Sequence, residues 1–129
     1  MGLLEGWFSA VSKEEKERRK FELQQRVFPF GEDAQKEYAV QLLGQLFKDT
    51  KIHPQEALLG YVAAKNEYVL CGKGENGALK ATKHLKRLGW KGGILTAKLL
   101  AFIEIETDIE YLEDYPTVED VERKLKEVH

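Results

Sequence analysis

The chain has a single cysteine, Cys71, so no intramolecular disulfide can form and stability has to come from packing. It holds three prolines and one methionine among 129 residues. Long apolar runs are absent too. The longest strongly apolar stretch, Ile94 to Ile103, is broken by Thr96 and Lys98 and is too short to cross a bilayer. The start, Met-Gly-Leu-Leu-Glu-Gly-Trp-Phe, has no basic region ahead of an apolar core, as a secretory signal would. Gly6 stands where a myristoylation pattern wants Ser or Thr. These absences read as a cytoplasmic protein. His53, His84 and His129 lie far apart and fit no metal-ligand spacing, and no Walker pattern follows Gly77, so no cofactor or metal is implied and no catalytic residue is assigned.

What is present is helical periodicity. At 43% hydrophobic content, 129 residues suit one domain with a core burying roughly two-thirds of the unfolded chain's surface. Ser12 and Glu15 have the form of a capping box, predicting a first helix from there to about Val27, ended by Phe28-Pro29-Phe30-Gly31. Glu32 and Asp33 suit the start of a second helix, with Ala34, Tyr38, Leu42, Leu43, Leu46 and Phe47 on its buried face. His53-Pro54 opens a third, with Leu58, Leu59, Val62, Ala63 and Val69 as its apolar side. A fourth runs from about Ala78 to Leu88, burying Ala78, Ala81, Leu85 and Leu88, and closes at Gly89.

From Gly92 to Glu113 two periods compete. Leu95, Leu99, Phe102, Ile109 and Leu112 fit a buried helix, whereas Ile103, Ile105, Thr107 and Ile109 alternate with acids as in a half-exposed strand. The helix is preferred, because neither Gly nor Pro lies between Ile94 and Tyr115 and no partner strand is evident. Thr117 with Asp120 caps a last helix carrying Val118, Val121, Leu125 and Val128. The reading is an all-α single-domain bundle of five or six amphipathic helices over residues 1–129. Its alternative is α+β with a strand near 103–110.

Gly72-Lys73-Gly74-Glu75-Asn76-Gly77 matches the G-x-G-x-x-G of dinucleotide-binding loops. That fingerprint also needs a preceding strand and an acid about 20 residues on, yet Thr96 to Leu100 hold none. The motif therefore reads as an interhelical loop, and phosphate binding there stays an alternative.

Charge is divided along the chain. Residues 1–72 carry ten basic and eleven acidic side chains, 73–98 seven and one, and 99–129 three and ten. Lys80, Lys83, His84 and Arg87 follow at three- and four-residue steps and share one helix face, extended by Lys91. The sequence offers two ways to neutralise that face: the acidic segment folding back, or a second subunit. Residues 1–11, whose Leu3, Leu4, Trp7, Phe8 and Val11 have helical spacing, read as a short apolar arm that docks on the chain's own core, on a partner or on a membrane surface. The functional expectation is a non-catalytic interaction or assembly module, its partner a second copy or another protein, with Trp7 and Phe8 in the contact. The alternative is a nucleic-acid-binding protein using Lys80, Lys83, Arg87 and Lys91, with Trp90 stacking on a base. A nucleotide-dependent enzyme is third.

Overall fold

The computed structural model describes the backbone of residues 2–128 and the side chains of residues 12–127. Six α-helices follow one another: α1 Gly2–Val27, α2 Glu32–Leu46, α3 Pro54–Leu70, α4 Gly74–Arg87, α5 Ile94–Glu106 and α6 Val118–Val128, with a 3-10 turn at Leu112–Asp114 before the last. Among the described residues there is no strand, so the all-α reading holds and the strand alternative at 103–110 does not. Ile103 and Ile105 lie inside α5, and Ile103 is completely buried. The β-branched alternation there is a helix with one buried face, followed by a turn in which Asp108 donates to the Ile105 carbonyl at 3.1 Å.

α1 begins ten residues before the predicted capping box, so Ser12 lies within the helix and Glu15 instead pairs with Arg19 at 2.9 Å. Trp7 and Phe8 fall outside the residues whose side chains are described. From Lys13 to Arg26 nearly every residue of α1 is exposed, Phe21 at 59%, and only Leu23 and Val27 join the core. At Phe28-Pro29 the helix ends as expected.

Apolar faces of α2, α3, α5 and α6 converge on one core built around Leu43, Tyr61, Leu99, Phe102 and Val121. The predicted register of α3 is rotated. Leu59 is 60% exposed, and the buried stripe is Ala57, Gly60, Tyr61, Ala64, Lys65 and Tyr68. Small residues in that stripe admit close neighbours, which is why α3 takes the centre. On α2, Tyr38 is largely exposed while Gln35 and Ala39 are buried with the expected leucines. On α4, Leu88 is also exposed, leaving Gly77, Ala81 and Leu85 as the buried stripe.

Caps match the residues present. His53 Nδ1 accepts from the Gln55 amide at 3.2 Å, satisfying a free donor at the start of α3. Thr117 and Asp120 form the expected reciprocal box on α6, at 2.9 and 3.3 Å, and these bonds hold the Asp120 carboxyl below its ordinary value. α4 closes by a Schellman motif: the Gly89 amide donates to the Lys86 carbonyl and the Trp90 amide to that of Leu85. No helix among the described residues is long and apolar enough to cross a membrane.

Candidate functional site

Of the residues predicted to form a basic face, the lysines and the arginine are exposed, while His84 is half-buried and lies 3.7 Å from the Glu67 carboxylate. α4 packs its Gly77, Ala81 and Leu85 side on α3 and turns Lys80, Lys83 and Arg87 outward, all exposed, with Lys91 exposed in the loop beyond. None of these four has a carboxylate within ion-pair distance among the described residues. The acidic segment does not fold over them. It reaches the start of α4 at Lys73, whose Nζ donates to the Thr107 carbonyl at 3.0 Å and lies 4.0 Å from Asp108. That link places the start of α4 beside the end of α5, so the two helices run in opposite senses. Glu110, Glu113, Asp114, Glu119 and Glu122 are exposed in the segment that follows.

At the other end of α4 a cleft of about 620 Å³ opens between α3 and the α4–α5 loop. Leu59, Leu88, Trp90 and Leu95 supply apolar wall, and Glu56 and Lys91 are its two charged side chains. Gly89, Gly92 and Gly93 all take positive φ, the conformation glycine adopts without strain, which lets this short loop double back. The turn presses the Trp90 indole onto Gly60, where a Cβ would stand 2.8 Å from the ring, and sets its edge against Phe47 with centroids 5.9 Å apart. Trp90 is thus wedged into the body, not held out to stack on a base. α5 starts at this cleft with no side-chain cap and no acid in its first turn, and the Thr96 hydroxyl on the wall has no partner among the described residues.

A titratable cluster invisible to motif reading lies inside. Glu106, 2% exposed, accepts from Tyr61 at 2.6 and 2.8 Å to its two oxygens, from Tyr115, and from the Lys65 ammonium. Lys65, 1% exposed, also sits over the Phe28 ring at 4.9 Å. Burial, reinforced by the Glu106 charge, pushes both phenols far above their ordinary range. Burial also pulls the Lys65 ammonium down, against the opposing pull of Glu106. The cleft beside α5 is lined by none of these four residues. The cluster therefore acts as an internal clamp joining α3, α5 and the segment before α6. The signal available in sequence was a lone lysine inside the true α3 stripe, four residues after Tyr61.

The glycine motif has a structural explanation. Tyr68 to Leu70 are the last turn of α3, not a strand, and Gly74 already belongs to α4. Gly72 and Lys73 make the α3 Schellman closure, with amides donating to Val69 and Tyr68. Gly77 is the contact residue: a Cβ there would be 2.6 Å from the Tyr68 carbonyl oxygen. Cys71 is half-buried with its Sγ 3.9 Å from Glu67, and the same carboxylate lies 3.7 Å from His84. No group of three metal-ligating side chains occurs among the described residues. Comparison with protein families, with curated proteins and with solved structures found no match.

Proposed function

We propose that this chain is an interaction or assembly module without chemistry of its own, working through its segregated charged surfaces. The observation that supports this is the exposed stripe of Lys80, Lys83 and Arg87, which has no carboxylate within ion-pair distance among the described residues. Opposite charges that do not meet within one molecule are free to meet between molecules, and such complementarity steers encounter and fixes register. The exposed stretch of α1 from Lys13 to Arg26 offers further contact surface, and the apolar Trp7 and Phe8 precede it in the sequence.

Light scattering over a salt series tests the reading. Association should be strongest at low salt and weakened by Lys83→Glu with Arg87→Glu. A monomer down to low salt, unaltered by that reversal or by deleting residues 1–11, with no protein captured on the wild-type stripe that the reversed one loses, overturns it.

A second reading, nucleic-acid binding, is favoured by the same stripe, since Glu75 is the only acid in residues 73–98. It predicts a mobility shift whose affinity falls steeply with salt and is lost in the double reversal. The wedged position of Trp90 removes the stacking contact that would have strengthened it.

A further inference from the structure

We propose that the cleft beside the start of α5 receives Tyr111 of a second copy of this chain. The inference rests on the assembly reading above and gives it an interface. One half is the cleft, whose apolar wall includes Leu59 and Leu88, 60% and 41% exposed. Its positive side is formed by Lys91, which lines it, and by the first-turn amides of α5, which have no side-chain cap among the described residues. Such a helix start favours a carboxylate through its free N–H groups and dipole.

The other half is the turn after α5. Tyr111 is 60% exposed, has extended backbone, and is flanked by the exposed acids Glu110, Glu113 and Asp114. An aromatic anchor flanked by carboxylates is complementary to an apolar cleft that has Lys91 and a helix N-terminus on one side. Tyrosine is a frequent anchor of such contacts, because it brings large area at little entropic cost. Glu56 on the wall is the one like charge the entering acids meet, so they belong on the Lys91 side.

The two halves cannot meet within one molecule. The cleft lies at the start of α5 and Tyr111 five residues beyond its end, and thirteen helical residues separate those ends by about 20 Å. Contact is therefore between copies. A two-fold arrangement would use both halves reciprocally, and a head-to-tail one would propagate.

Complementation of two variants tests this. Tyr111→Ala removes the anchor and Leu59→Asp spoils the cleft, both at exposed positions where the circular dichroism spectrum should be unchanged. Each alone should weaken self-association by about thirtyfold, as expected when an interface anchor is lost. An equimolar mixture should regain association by sedimentation, because each variant retains the half the other lacks. Self-association that persists in Tyr111→Ala overturns the cleft and leaves the assembly reading standing. A mixture that stays monomeric where wild type associates also overturns it. A wild-type chain that stays monomeric overturns it as well, and the Lys83→Glu, Arg87→Glu pull-down then judges the assembly reading separately.

Discussion

Glu106 is the residue on which the interior turns. It accepts from Lys65, Tyr61 and Tyr115 at once, so its removal strands two buried donors and a half-buried third. Breaking one side of a buried ion pair typically costs about 3 to 5 kcal/mol, whereas removing both charges together is much cheaper. Glu106→Gln should therefore lower stability in urea by an amount in that range. Adding Lys65→Met should recover a large part, since Gln still accepts from the phenols and no charge is left alone. Equal destabilisation of the single and double variants would show that the pair contributes nothing as a pair. The phenols give a second test at high pH. Tyr61 and Tyr115 hold their protons well above the ordinary value of 10.0, so the native state binds protons that the unfolded chain releases. Their contribution is complete below pH 10 and is lost as pH rises beyond it. Lys65, shifted down, works the other way, its penalty fading as pH rises towards 10.5. Absorbance at 295 nm should show two of the five tyrosines silent until the fold opens, with the lag removed by phenylalanine at 61 and 115.

Helix ends were legible where a few local residues make the cap: Pro54 after His53, the Thr117–Asp120 box, and the backbone turn at Gly89. Each is a local bond that three or four residues determine. The buried face of α3 was not legible, because its largest aliphatic side chains lie off the core and its centre is Ala57, Gly60 and Ala64, where partners come close. Hydrophobic size misleads when packing rewards smallness. Ser12-x-x-Glu15 misled for a different reason, since a capping box is also an ordinary pair of residues inside a longer helix. The basic stripe was legible as a face, but its lack of a covering acid depends on the opposed directions of α4 and α5. Two glycines inside helices show how context decides. Gly44 in α2 has nothing within 4 Å of an added Cβ, so Gly44→Ala should stabilise by about 0.5 to 1 kcal/mol through helix propensity. Gly77 is helical too, but its Cβ would meet the Tyr68 carbonyl, so Gly77→Ala should destabilise by about 1 to 3 kcal/mol. Thermal melts of the two variants should move in opposite directions. If both rise, the α3–α4 contact is looser than this packing implies.

Across the molecule, a net charge of only −2 leaves little general repulsion, so in the proposed assembly the arrangement of charge would govern how copies meet. Two kinds of contact are available, and salt separates them. Exposed ions such as Lys83, Arg87 and Glu113 are screened over about 10 Å at 0.1 M salt, so an interface built on them weakens as sodium chloride rises. An interface built on an apolar arm such as Trp7 and Phe8 responds in the opposite sense to sulfate, which is excluded from protein surfaces and strengthens apolar burial. Self-association measured by sedimentation should fall between 20 mM and 500 mM sodium chloride in the wild type, with little remaining dependence after Lys83→Glu and Arg87→Glu. Association that instead grows in sodium sulfate and survives the double reversal would shift the contact from α4 to the arm. The proposed Tyr111 contact would combine both forces, carboxylates beside the anchor facing Lys91 and an aromatic ring entering the apolar wall. Sodium chloride should therefore weaken it only in part, while Tyr111→Ala should remove what the salt leaves.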